Sequence, residues 1–533
     1  MKTLFKKQCA GMNRQLAIDN CQSTKECYYR KSYFILSIAY CLLFITIMSS
    51  CSVSKSSFTP SKKYSPEQLN KDYAIFRGAL EESHPGIYWY TPKNEMDNYF
   101  DWGKSQLKDS LNEEDFRKVL SYVISKINCG HTVTRSSTAF MKYRDTSINK
   151  IFPLSLKIWP GASASDDTAT VAANLFRKDT TLTRGVVVKK IDNQPIETII
   201  DTLCQYISSD GHNMTHKFQS LSNRGGFGAA FTSIYGQKEN YFIDYLGNDG
   251  IEKTATIASY NPRTDTANRI AISRFAKTTR SERKKQIIRA TRSLRIDSTN
   301  NAAFMDLGSF GRSLKLKSFF RNSFKEMRHK GTKNLVVDVR GNGGGSVTNS
   351  TFLTKFIVDR KFKVADTLYA NTRNSRYKKY IEGYFFNRFF MLFVTAKKKD
   401  GKYHFGYFER HHFKPKKKDH FDGNVYILTG GNSFSATTLF TQTVKPQDNV
   451  FVVGEETGGG AYGNTAWLIP DLTLPETGVR FRLPLFRLVI DKNIPKDGRG
   501  VQPEVIAMPT TEAIRRGADF KMDKVMELIK SHQ

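Results

Sequence analysis

Two strand-helix-strand units constrain this chain most. In the first, AAFMDLGSF (302–310) and KNLVVDVRGNGGGS (333–346) flank the helical stretch SFFRNSFKEMRH (318–329). In the second, NVYILT (424–429) and NVFVVGEE (449–456) flank a helix that starts near Ser435. Nearly continuous apolar runs of this kind fill strands buried on both faces, and a helical crossover between two strands predicts parallel pairing. Residues 300–533 are therefore expected to form an α/β domain. Within it, the aromatic, basic and irregular stretch 360–420 reads as an insertion.

At 533 residues the chain is too long for one core. Its 39% apolar, 12% aromatic and 25% charged composition is that of a globular protein, not a disordered one. The net charge of +32 raises nucleic acid or an anionic membrane as partners. The charge is scattered, however, and its densest patches, 277–295 and 397–419, carry no nucleic-acid-binding motif, so no specific nucleic acid is expected. Residues 261–299 read as a basic linker, with either a solvated helix or a membrane-lying one at 277–295.

Near the N-terminus, Arg30 and Lys31 precede the uncharged run SYFILSIAYCLLFITIM, and SSC follows, ending at Cys51. A positive segment, an apolar segment and small residues before a cut describe an export signal, with an uncleaved anchor as the alternative. A cysteine at the cut, followed by SVSKSSFTPSKK, resembles a bacterial lipoprotein signal. That resemblance implies lipidation of Cys51 and a place in the bacterial cell envelope, on the periplasmic side or at the outer membrane. Residues 1–51 are thus set apart as extension and signal, and 52–64 as linker; the 29 residues ahead of Arg30 are unusual for a signal and suggest an upstream start codon. Of seven cysteines, only Cys129 and Cys204 fall in the remainder, and they allow one disulfide without requiring it.

Residues 65–150 read as a helical cap. Leu69, Tyr73, Phe76 and Leu80 recur at helical spacing after a Ser-Pro-Glu start, as do Phe116, Val119, Leu120 and Val123. Residues 151–260 read as short strands and turns, and RGVVVKKIDNQPIETIIDTL within them looks like the peptide-binding PDZ pattern.

Two segments are positioned for chemistry. Ser435, in GNSFSATTLF, stands on a small-residue turn between a buried strand and a helix start, which suits either an exposed nucleophile or an N-cap. DVRGNGGGS (338–346) lies at the carboxyl end of a buried strand, where parallel sheets bind ligands. It lacks the Lys-Ser/Thr ending of a phosphate loop, and Ser346 stands where a dinucleotide fingerprint needs glycine, so amides aimed at an oxyanion fit it better.

In order and spacing, DVRGNGGG, GNVYILTGGNSFSATTLF, VVGEETGGG and GRGVQPE resemble the C-terminal processing (tail-specific) serine peptidase family. The upstream GHT and the PDZ-like segment are arranged as in that family. The resemblance covers about residues 65–530. It implies a crotonase-like (ClpP/crotonase) α/β core with a helical cap and a PDZ-like insert, and hydrolysis of peptide bonds without metal or cofactor. In the tail-specific branch the base is a lysine; Gly460 stands at the matching position, and no lysine lies between Lys445 and Lys492. The branch resembling the tricorn protease core uses a histidine and an acid, which implies His131 (in INCGHTVT) as base and Asp497 (in DGRGVQPE) as its orienting acid. The resemblance further implies an oxyanion hole from the amides of Ala436 and of one residue from Gly343 to Gly345, with Gly344 preferred. Gly130 replaces the serine which that branch carries before its histidine.

The expected function is an exported, lipid-anchored serine endopeptidase, a C-terminal processing peptidase working through an acyl-enzyme with a Ser435–His131–Asp497 triad. Its partners would be polypeptides or their C-terminal tails, bound by strand addition to the PDZ-like module, and the membrane through its anchor. The alternative is a non-proteolytic binding protein for apolar ligands or peptides, resembling the interphotoreceptor retinoid-binding type on the same fold. His212 and His216 lack the glutamate of a zinc-protease helix, and they read, with His404, His411, His412 and His420, as surface residues. Glu455 and Glu456 are loop carboxylates that either assist the site or serve no such role.

Overall fold

The computed structural model describes residues 58–146, 150–161, 168–266 and 278–531. The signal-like run and Cys51 lie outside the described residues.

Helices span Pro66–Ser83, Lys93–Ser105 and Glu113–Ser125. Ser65 and Gln68 form a reciprocal capping box at the start of the first, and the Asn112 side chain accepts the Asp115 N–H at the start of the third. Their apolar stripes bury Leu69, Phe76, Phe116 and Leu120 in a core shared with Leu472, Val479 and Phe481 from the C-terminal part of the chain. That shared core ties down the segment after the third helix. Thr134–Arg135 pairs with Arg480–Arg482, and Arg482 N–H donates to Val133 O at 3.0 Å. His131 is thereby fixed to the C-terminal domain, despite its distance in sequence.

The central sheet has six strands in the order Arg292–Asp297, Ala302–Leu307, Asn334–Asp338, Asn424–Thr429, Val450–Gly454 and Val505–Ile506. All neighbours are parallel except the first pair. Helices Leu316–His329, Val347–Thr354 and Ala436–Val444 cover one face, and Phe520–Ser531 covers the other through Val525 and Ile529. Burial on both faces is the physical reason these strands are almost wholly apolar. The edge strand Arg292–Asp297 comes from within the stretch read as a linker; the helix before it, Arg280–Thr291, buries no residue.

Residues 360–420 are more regular than their sequence suggests. Thr367–Ala370, Tyr403–His404 and Ala396–Lys397 join Phe486–Val489 and Gly463–Ala466 in a second, antiparallel sheet of five strands. Tyr384–Val394 is a helix.

Between residues 154 and 258 lies an antiparallel sheet ordered Leu154–Trp159, Thr168–Asn174, Val187–Ile191, Asn240–Leu246, Glu252–Ala258. Helices Ile196–Cys204, Met214–Ser222 and Gly226–Tyr235 accompany it, and Ile199, Leu203, Leu221 and Phe231 pack into its core. No helix among the described residues is long and apolar enough to cross a membrane.

Candidate active site

The strand Asn424–Thr429 runs into a turn pinned by Ser433. The Ser433 hydroxyl donates to Val339 O at 2.8 Å and accepts the Gly430 N–H at 3.2 Å. Phe434 N–H donates to Asn342 O at 3.1 Å. The serine turn and the glycine loop are therefore built as one unit, joined through both backbone and side chain.

Ser435 follows with φ 58° and ψ −119°, a conformation that costs a residue with a Cβ on the order of 1–3 kcal/mol. It does not cap the helix Ala436–Val444, since its side chain makes no cap hydrogen bond. A strained strand-to-helix turn that leaves the hydroxyl uncommitted is the backbone solution expected of a nucleophile. Glycine is required beside it: at Gly344 (φ 96°) a Cβ would lie 2.7 Å from Phe434 O and 2.8 Å from Ser435 Cβ.

Ser435 opens onto a cleft of about 490 Å³ walled by Phe390, Phe405, Phe408, Leu439, Trp467 and Leu488. Gly345 and Ala436 line it as well. The Ala436 N–H starts a helix and has no carbonyl to bond within it, and the helix's positive end points the same way. The Gly344 N–H donates instead to Asn342 Oδ1 at 2.9 Å, and Gly343 does not line the cleft. Gly345 lines the cleft, and its N–H takes part in none of the hydrogen bonds that hold the loop, which makes it the uncommitted glycine amide at the cleft wall.

His131 is 6% exposed, and neither Nδ1 nor Nε2 has a hydrogen-bond partner. Its ring packs on Phe434, centroids 4.7 Å apart, which sets it beside the residue preceding Ser435. Burial pulls its pKa down to about 3, with smaller contributions from the charges of Arg482 and His216, so the imidazole is neutral at physiological pH.

The carboxylate near this ring is Asp210, with Oδ1 4.0 Å from His131 Nδ1. It is 2% exposed and is held by the N–H groups of Gly130 (2.9 Å) and Gly460 (3.3 Å). Burial raises its pKa while those two N–H groups oppose the rise. Gly460, the position without the lysine, thus contributes its backbone to the acid. Asp497 is exposed; it accepts the Arg499 N–H at 2.9 Å and makes no ion pair with His131, whose carboxylate neighbour is Asp210.

His216 is also part of this neighbourhood, not a surface residue. Its ring stacks on Phe434 as well, centroids 4.9 Å apart, and its Nδ1 lies 2.9 Å from Gly431 O. Donation from Nδ1 to that carbonyl leaves Nε2 as an acceptor. Glu455 pairs with buried Lys521, and Glu456 receives Arg499, Asn213, Thr215 and the Gly500 N–H, so both carboxylates brace loops. His404 is buried between Glu409 and Asp400.

Sequence reasoning missed Asp210 and His216, and within the glycine run 343–345 it preferred Gly344. The only signal for the first two was Asp210-Gly211-His212-Asn213, a turn leading to an N-cap, for Asn213 accepts the His216 N–H at 2.9 Å. Cys129 and Cys204 are both buried and not bonded to each other. Cys129, His131 and Asp210 offer donor atoms within 4.8 Å of one another, a mixed S, N and O set that suits Zn²⁺.

Residues 301–507 match the model of Peptidase family S41. No curated protein sequence matches the chain. A CPAF mutant structure is similar to it at 13% identity and TM-score 0.62, covering 87% of this chain and 97% of its own. Mature CPAF gives 13% identity and TM-score 0.59 with the same coverage; at this identity the likeness is one of fold. A structure of a putative peptidase from Parabacteroides merdae aligns at 15% identity and TM-score 0.43, over 87% of this chain and 97% of its own. The chain carries a Peptidase family S41 domain and is a serine-type peptidase, a hydrolase.

Proposed function

We propose that the chain is an exported, lipid-anchored endopeptidase that processes polypeptides or their C-terminal tails, with Ser435 as nucleophile, His131 as base and Asp210, in place of Asp497, as the orienting acid. One observation carries this reading: a buried histidine with both ring nitrogens unpartnered lies beside a buried carboxylate and against the residue preceding a strained serine.

With Nδ1 toward Asp210, Nε2 is the atom that takes the Ser435 proton as Oγ adds to the scissile carbonyl. The amides of Gly345 and Ala436 receive the oxyanion, His131 returns the proton to the leaving amine, and a water activated by the same nitrogen hydrolyses the acyl-enzyme. Nothing bonds His131 to Ser435 in the resting protein, so substrate binding must draw the two together. The apolar cleft walls select a large apolar side chain next to the scissile bond.

Tails are presented by the sheet of residues 154–258, the PDZ-like module. Its edge strand Glu252–Ala258 is paired on one side only and is open to strand addition. At the other edge Ser222 already bonds both the N–H and the C=O of Ile158. Cys51 supplies the anchor, and the crotonase-like core with its helical cap supplies the frame.

The test is labelling of the full chain with a fluorophosphonate probe, beside Ser435→Ala and His131→Ala. Labelling lost in both variants is expected. Absence of Ser435-dependent labelling at any pH between about 6 and 9 would overturn the assignment and turn the cleft to binding of apolar ligands.

A further inference from the structure

The helix Tyr384–Val394 (YFFNRFFMLFV) is unusual in that both of its faces are apolar. At about 100° per residue, Phe390, Val394, Asn387, Met391 and Tyr384 fall on one side. On that side Met391 is buried and Phe390 lines the cleft that holds Ser435. Leu392, Phe385, Phe389, Phe393 and Phe386 fall on the opposite arc, about 120° wide and without a charged residue. Those four phenylalanines are 79% (Phe385), 76% (Phe386), 60% (Phe389) and 73% (Phe393) exposed, and Leu392 is exposed with them. Single exposed apolar residues are ordinary, whereas five on one helical arc form the contiguous patch that marks an interaction surface.

The surroundings of this patch identify its occupant. Between residues 373 and 402 the sequence holds nine basic residues (Arg373, Arg376, Lys378, Lys379, Arg388, Lys397, Lys398, Lys399, Lys402) and two acidic ones (Glu382, Asp400). Lys378 and Lys379 lie before the helix and Lys397 to Lys399 directly after it; all five are exposed. A protein partner would place polar groups opposite specific side chains. A purely apolar arc with a cationic rim instead matches the layering of an anionic bilayer, with acyl chains below and headgroup phosphates at the level of the lysines.

We infer that the helix Tyr384–Val394 inserts its outer phenylalanines into an anionic phospholipid surface and so sets the mouth of the Ser435 cleft at the membrane. This contact is separate from the proposed lipid anchor and from the catalytic assignments. Because Phe390 belongs to the cleft wall and its neighbours to the membrane face of the same helix, the substrates that reach Ser435 most readily are tails emerging from the bilayer.

The experiment follows the helix itself. In the full chain, Phe389→Trp is compared with wild type by difference emission on adding vesicles of phosphatidylglycerol and phosphatidylcholine, vesicles of phosphatidylcholine alone, and vesicles with brominated acyl chains. The expected result is a blue shift with the anionic vesicles, quenching by bromine, and at least about tenfold weaker partitioning for Lys397→Glu/Lys399→Glu. Replacing Phe385, Phe386, Phe389 and Phe393 by Ser should weaken partitioning by a similar factor or more while labelling of Ser435 persists. Difference emission from Phe389→Trp that is indifferent to vesicles would overturn the inference. So would a wild-type oligomer in sedimentation that the four-serine variant dissolves, together with Phe389→Trp emission that is already blue-shifted without lipid.

Discussion

His131 Nδ1 lies 4.0 Å from Asp210 Oδ1, and the carboxylate is fixed in place by two backbone N–H groups, those of Gly130 and Gly460. A carboxylate so held can orient the ring and stabilise an imidazolium without itself moving. Asp210→Asn is therefore expected to lower kcat/KM on a peptide substrate by about 10²–10⁴-fold. Asp497→Asn, at a turn whose carboxylate meets a backbone N–H and not the histidine, should change it by less than about threefold. Equal effects of the two substitutions would remove Asp210 from its role.

Burial holds the His131 pKa down to about 3, from an ordinary value near 6.5. A general base works in its neutral form, so the acid limb of kcat/KM, which reports the free enzyme, should fall well below pH 6.5. The rate should be flat with respect to this group from about pH 5 to 8. Folding stability has the same sign. The unfolded histidine binds a proton below about pH 6.5 and the folded one does not until about pH 3, so stability is full above 6.5 and is lost as pH falls through that window. His84, buried and likewise lowered to about 3 chiefly by desolvation, adds to the same slope. Thermal melts between pH 4 and 7 check this, and His84→Asn should flatten the dependence.

How much of this was legible depended on whether the information was local. Ser435, the glycine loop and the parallel strands are written in contiguous residues, and the same local logic placed Leu69, Phe76, Phe116 and Leu120 in the core. Asp210 gave no local sign beyond a turn, because its role comes from closure of a loop 79 residues after His131 onto Gly130 and Gly460. Asp497 had the better motif, yet its carboxylate is taken by the Arg499 N–H two residues on. The helix Tyr384–Val394 escaped detection for another reason. Apolar residues on both of its faces erase the periodicity from which helices are read.

Ser435 holds φ 58° and ψ −119° against the preference of any residue with a Cβ. Ser435→Gly should therefore abolish activity and raise stability by about 1 kcal/mol, part of the strain being offset by the freer unfolded glycine. Ser435→Ala should abolish activity with no such gain. Denaturant titration of both variants measures the difference.

The donors of Cys129, His131 and Asp210 lie within 4.8 Å of one another. Zn²⁺ bound there would occupy the base, so micromolar Zn²⁺ is expected to inhibit and a chelator to restore activity. Burial pushes the Cys129 thiol up to about 11, and the metal must displace that proton, so inhibition should strengthen as pH rises. Cys129→Ser should raise the half-inhibitory concentration by about tenfold or more. An unchanged value would remove the thiol from the set.

Gly130 is a position with no room for a side chain. A Cβ at 130 would lie 2.6 Å from Phe434 Cζ and 3.4 Å from the Asp210 backbone nitrogen. Phe434 has little room to yield, because its ring is packed against those of both His131 and His216. Gly130→Ser should thus displace Phe434, and with it the histidine ring and the Gly130 N–H that holds Asp210. The expected outcome is a loss of about 1–3 kcal/mol in stability and at least about tenfold in kcat. Shortening the obstructing side chain separates steric from chemical causes. If crowding is the fault, Gly130→Ser combined with Phe434→Leu should recover most of the lost kcat; if the double variant stays as slow as the single one, Gly130 is needed for its backbone and not for its lack of bulk.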